Sequence, residues 1–281
     1  MTGNYRALLN GVYDYAADSG FSRLKGPRND VHALYRVLRD PTVGLFTVKE
    51  PLFNPSTGQL RINVEKFLDT ADHDDNLLIY YSGHGEISRK NQRLCLTSAE
   101  GDLDALDGSS LAFDELFEWI IDSPARSVTV ILDCCRSGVS LKGGVPDLAR
   151  YFEATEDAQP RQKMVCVVTA AAGYESVPDA ESEGELSPFT ARLVTALTES
   201  AAANDMGLVS IAQVIAAMND VPGDTRRFAH AWGTYNDDGP YLARRADHAR
   251  HALKEAGLKH MELRRAGAAH YHGRTVHIPV H

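Results

Sequence analysis

An α/β fold, with a mostly parallel central sheet and helices on both of its faces, is predicted by three features of the sequence. Short continuous apolar runs of strand length recur along it, amphipathic stripes of helical period lie between them, and no internal repeat interrupts the alternation.

The runs are Tyr5–Val12, Asn76–Tyr81, Ser127–Leu132 and Lys163–Thr169, each rich in Val, Ile, Leu or Tyr. Strands that are apolar throughout suit a sheet covered on both faces. The first helical stripe is Val31, Leu34, Tyr35 and Leu38; Asn29 or Asp30 is placed to cap it and Pro41 to stop it. Phe113, Leu116, Phe117 and Ile120 repeat that spacing, as do Ile211, Val214, Ile215 and Met218, while Phe189, Leu193 and Leu197 mark a further helix after Pro188. Ser140–Gln162 and Gly173–Ser187 are polar, with Gly, Pro or charge, and are predicted to be exposed loops. From about Ala246 the composition turns to Arg, His and Ala, including seven of the 11 histidines. The expected division is therefore a main domain over 1–245 and a tail or small appended element over 246–281.

The balance of 43% hydrophobic and 24% charged residues suits a globular fold rather than a disordered or fibrous one. Formal charge is −9, and Lys and Arg are scattered rather than clustered, which argues against a nucleic-acid partner. The sequence has neither an apolar run of membrane length nor a basic, then apolar, signal segment, so no membrane association and a cytoplasmic location are expected. Of the four cysteines, Cys134 and Cys135 are adjacent and none is in C-x-x-C spacing, which suits neither a disulfide framework nor a zinc knuckle. Cys95 and Cys166 read as core.

Two motifs follow apolar strands, where sites gather in open α/β sheets. Tyr80–Tyr81 runs into Ser82–Gly83–His84–Gly85, and Val130–Ile131–Leu132 into Asp133–Cys134–Cys135–Arg136–Ser137–Gly138. A histidine between glycines contributes little to packing. It suits chemistry instead: bare backbone at Gly83 and Gly85 would let a substrate carbonyl approach, with the Gly85 N–H facing the developing oxyanion. A thiol of ordinary pKa, about 8.5, gains thiolate character from a neighbouring imidazole, which can later protonate a leaving amine. Along a strand Cys134 and Cys135 point to opposite faces, so only one of them can meet His84.

These motifs resemble the histidine and cysteine motifs of the caspase and metacaspase superfamily, and Cys135 lies 51 residues after His84, close to the spacing of about 50 seen in caspases. The resemblance runs from Tyr5 to about Arg244: Ala7–Val12 is similar to the first strand, Leu24–Asp30 to the metacaspase segment after it, Lys163–Ala171 to a later strand, and Phe189–Leu197 with Leu208–Met218 to the closing helices. It implies a caspase-like three-layer sandwich. It also implies a cysteine endopeptidase of prokaryotic type with a His84/Cys135 dyad, an oxyanion hole of Gly85 and Cys135 backbone N–H groups, and no third catalytic carboxylate. Matched residue by residue, Asp30, Ser82 and Asp133 would line the primary (S1) pocket and select Arg or Lys. One carboxylate–cation contact at ~4 Å and an effective dielectric of about 20 is worth on the order of 4 kcal/mol before desolvation.

The sequence departs from its relatives in having Pro27 where metacaspases commonly carry cysteine, and Asp133–Gly138 in place of the caspase Gln-Ala-Cys-Arg-Gly segment, which argues against cleavage after aspartate. No cofactor is required. Metacaspases often use calcium, and Glu100, Asp102, Asp104 and Asp107 invite that reading, yet Leu106 stands where an EF-hand loop needs an oxygen ligand. The tail histidines His248, His251, His270 and His272 make only a weak case for zinc. Lys142, Arg150 and Arg161 lie where relatives separate their subunits and are candidates for self-cleavage. The partners implied are a protein or peptide substrate and an activator or effector protein, in stress, defence or regulated cell death. The alternative readings are a catalytically silent adaptor of the same fold and a hydrolase of small amides.

Overall fold

The computed structural model describes residues 3–136, 163–170, 178–220 and 228–245, with Cys135, Arg136 and Ser200 in backbone alone. The loop 140–162 with Lys142, Arg150 and Arg161, the start of the acidic loop at 173–177, and the tail 246–281 with its histidines lie outside the described residues.

In chain order the strands are β1 (Tyr5–Gly11), β2 (Thr47–Val48), β3 (Leu52–Phe53), β4 (Asn76–Ile87), β5 (Leu94–Thr97), β6 (Ser110–Ala112), β7 (Ser127–Arg136), β8 (Met164–Thr169), β9 (Leu208–Ser210), β10 (His230–Gly233) and β11 (Tyr241–Arg244). The helices are α1 (Pro27–Arg39), α2 (Thr57–Asp69), α3 (Phe113–Asp122), α4 (Pro188–Thr195) and α5 (Ile211–Asn219). The main sheet runs β10-β8-β7-β4-β1-β2, with β3 also beside β1 and the short β5–β6 ladder beside the far end of β4. Its centre is parallel, while β10 and β5 join antiparallel.

Period-two alternation makes the two faces into two cores. On one face Leu78, Tyr80 and Ile131 pack under α1 (Val31, Leu34), α4 (Phe189, Leu193) and α5 (Val214, Met218). On the other, Leu77, Ile79, Val128 and Val130 pack under α2 (Val64, Phe67) and α3 (Phe113, Ile120). This is the three-layer α/β sandwich that the apolar runs predict. Helix α2 was not among the predicted helices; a reciprocal Ser56/Gln59 capping box starts it.

The two central strands are longer than predicted. Expected to end at Tyr81 and Leu132, β4 and β7 continue to Ile87 and Arg136, so the first motif, and the second as far as Arg136, lie within the ladder rather than beyond it. The reason is pairing: β4 and β7 stay in register from Asn76↔Ser127 to Gly85↔Arg136, and β5 takes over the other edge of β4 at Gly85–Ile87. Each strand therefore keeps a neighbour past the end of β1.

Candidate active site

The register sets the site. Ser82 is opposite Asp133, Gly83 opposite Cys134 and His84 opposite Cys135 on adjacent parallel strands. Cys134 packs with Leu132 and Val130 in the core on the α2–α3 side, whereas Ser82 and Asp133 face α1 and α4. Cys95 and Cys166 are fully buried, and burial pushes the Cys166 thiol up to about 12. Both are inert core residues, as expected.

His84 is held on three sides. Its ring stacks on Phe21 (centroids 5.2 Å apart) and leans on Tyr15 (5.0 Å). Its Nε2 lies 2.8 Å from the Ser22 carbonyl, which can only accept, so the neutral ring carries its proton on Nε2 and a lone pair on Nδ1. That Nδ1 is buried and finds no hydrogen-bond partner among the described residues. Burial holds the pKa of the imidazole below its ordinary value, which favours the neutral ring. The backbone is fixed as well: the His84 N–H donates to the Tyr15 hydroxyl (3.0 Å), and the Thr97 hydroxyl donates to the His84 carbonyl (2.9 Å).

Packing also calls for a glycine at position 83. A Cβ at this position would sit 2.6 Å from the Tyr81 hydroxyl, so the glycine makes room for a phenol that lies beneath the strand and bonds to the His84 and Thr97 carbonyls.

Asp30, Ser82 and Asp133 come together, but not as open ligands. The Ser82 hydroxyl donates to Asp30 Oδ2 (3.0 Å) and the Ser187 N–H to Asp30 Oδ1 (2.8 Å). Asp133 Oδ2 accepts the hydroxyls of Ser187 and Thr190. Ser187, which caps α4, thus bridges the two carboxylates. Burial, and then the charge of Asp133, push Asp30 up to about 8; burial also raises Asp133. At neutral pH the pair therefore retains a proton.

A third carboxylate adjoins them. Asp179 accepts the N–H groups of Lys25 (2.7 Å) and Gly26 (2.9 Å) and lines, with Asp30, Ser82 and Asp133, a cavity of about 20 Å³. The four acidic residues of the calcium reading do not converge: Glu100 accepts the Thr57 N–H and Asp102 the Asp104 N–H, and no group of three or more His, Cys, Asp or Glu among the described residues surrounds a common point.

The caspase-domain family model matches residues 5–222, most of the chain. The chain belongs to the caspase-domain family of cysteine peptidases. Among solved structures, that of protein GSU0716 from Geobacter sulfurreducens resembles this caspase domain with a TM-score of 0.56, at 14% identity over 83% of this chain and 93% of that one. No curated protein matches the sequence. Among the described residues, no helix of the caspase domain is long and apolar enough to cross a membrane.

Sequence reasoning missed Ser22, Ser187 and Asp179. Ser22 acts through a carbonyl, which any residue has, and Ser187 and Asp179 reach Asp30 and Gly26 from 157 and 153 residues away. Only the pattern Ser187–Pro188 before an apolar stripe, an N-cap followed by proline, carried a signal.

Proposed function

We propose that the protein is a cysteine endopeptidase that cuts on the carboxyl side of Arg or Lys through an acyl-thioester on Cys135. The observation that carries this is the pairing of His84 with Cys135 across adjacent strands, one pleat beyond a buried pair of carboxylates. Strand alternation counts position 135 with Asp133, not with Cys134, and so favours Cys135 as the nucleophile.

In this reading the free lone pair on His84 Nδ1 takes the thiol proton, and the Ser22 carbonyl keeps that lone pair aimed by holding Nε2–H. The thiolate attacks the scissile carbonyl, and the oxyanion is met by the N–H groups of Gly85 and Cys135. His84 returns the proton to the departing amine, and water then hydrolyses the thioester by the same route in reverse. The Asp30–Asp133 pair takes the basic side chain. A guanidinium brings the donors that Ser187 and Ser82 now supply, and its charge drives off the retained proton. A cavity of about 20 Å³ holds little more than one water, so an arginine enters only as the 178–187 segment shifts away from Gly26 and Asp30.

Peptide-library profiling of wild type and Cys135→Ala, with and without calcium, tests the whole reading. Cleavage after Arg or Lys, lowered at least about a thousandfold in the variant, is expected. Undiminished cleavage by Cys135→Ala rejects the nucleophile. No cleavage by the wild type under either condition favours the adaptor.

A further inference from the structure

A cleft of about 1090 Å³ is lined by His84 but by neither member of the carboxylate pair. Strand β4 serves as its ruler. Ser82, His84 and Glu86 share one face at ~6.6 Å intervals; Ser82 lies against Asp30, and His84 and Glu86 both line the cleft. If the basic side chain sits at Ser82 and the leaving amine takes its proton from His84, the chain beyond the cut bond is directed past Glu86. We propose that this cleft binds the part of the substrate that follows the cut bond, an extended polypeptide with apolar side chains in its first few positions. This rests on the function proposed above and adds a second determinant of specificity to it.

The lining supplies the chemistry. Phe21, Ile87 and Leu103 present apolar surface, while charged residues of both signs, Glu86 and Asp104 with Arg89 and Lys90, line the rest and so favour no single charge on the occupant. Leu103 is one of three large apolar side chains exposed among the described residues, at 36%, and its exposure falls inside a concave site. Its position is also fixed: the Leu103 N–H donates to the Ser19 carbonyl (2.9 Å), and Gly20, at φ +77°, passes so near that a Cβ would be 3.0 Å from that of Leu103. The same loop carries Phe21 against the His84 ring and the Ser22 carbonyl against Nε2. Cleft wall and catalytic base are therefore parts of one packed unit, and a chain lying on Leu103 and Phe21 excludes water beside the imidazole.

The test compares three substrates on the full chain: an arginyl coumarin amide, which has no residues after the cut bond, and two internally quenched peptides that continue from the same Arg as Gly-Leu-Leu-Gly or Gly-Ser-Ser-Gly. The leucine peptide is expected to exceed the serine peptide at least tenfold in kcat/KM, and Leu103→Asp to reduce that ratio below threefold. Equal rates for the two peptides, or a ratio unchanged by Leu103→Asp, overturn the inference while leaving peptidase function in place. No turnover of any of the three, or turnover that survives Cys135→Ala, overturns instead the function on which it rests.

Discussion

At Asp30, burial and the nearby charge of Asp133 act in the same direction and raise the carboxyl from 3.8 to about 8. Between those values the native protein holds a proton that the unfolded chain releases, so stability falls as pH rises through the window. Asp30→Asn removes the titration while keeping an acceptor for the Ser187 N–H and gaining a donor for the Ser82 hydroxyl. It is expected to unfold at a higher temperature than wild type at pH 8 and at nearly the same temperature at pH 3.5, as measured by thermal denaturation. Catalysis should move the other way, since the pair attracts a cation more strongly once both groups are ionised. Wild-type kcat/KM for an arginyl substrate is expected to rise between pH 6.5 and 8.5, and that of Asp30→Asn to be at least about a hundredfold lower without that limb. A variant no more stable than wild type, still preferring Arg, would remove Asp30 from the site.

The elements show how such a site is kept in place. Gly26 precedes α1, and a Cβ there would lie 2.9 Å from Asp179 Oδ1 and 3.1 Å from Asp30 Oδ2. Gly26→Ala is therefore expected to lower kcat/KM for arginyl substrates at least tenfold while leaving the unfolding temperature within a few degrees, a combination that separates pocket blockage from misfolding. Elsewhere an element depends on a single cation: the Lys163 ammonium donates to the Ile120, Ile121 and Ser123 carbonyls at the end of α3. Lys163→Ala leaves these without that donor, and a loss of about 1–3 kcal/mol in denaturant unfolding is expected. Elements of this kind differ in how far they can be read from residues. The stripes of α1, α3, α4 and α5 were legible because one face of each is apolar at helical period. In α2 the same signal, Leu60, Val64, Phe67 and Leu68 behind a Ser56/Gln59 capping box, is blurred by Ile62, which lies half exposed on the opposite side. The extension of β4 through Gly83, His84 and Gly85 could not be read from strand propensity, because it depends on partners, β7 on one edge and β5 on the other.

At the scale of the whole molecule, the two-faced sheet determines which parts of the site a sequence reveals. Residues on β4 and β7 were legible because strand-end motifs keep chemistry and fold in a few consecutive positions: His84, Cys135, Ser82 and Asp133 all fall there. Those that arrive from connections, Ser22 after β1 and Asp179 and Ser187 before α4, were not, since loop closure rather than periodicity delivers them. Charge, by contrast, belongs to no element and is read from the chain as a whole. With a net charge of −9 and, in the reading proposed above, carboxylates as the pocket's specific groups, a cationic peptide is expected to be attracted before it docks. That attraction is long-ranged, and salt removes it over a Debye length that shrinks from roughly 20 Å near 0.02 M to about 7 Å near 0.2 M. The short-range contacts proposed with Asp30 and Asp133, being buried, would be screened far less. For a peptide carrying three arginines, kcat/KM is therefore expected to fall several-fold across that range of sodium chloride, mostly through association. For a peptide with one arginine balanced by one glutamate it should hold within about twofold, and an equal fall for both would show that the field of the whole molecule plays no part in bringing the substrate in.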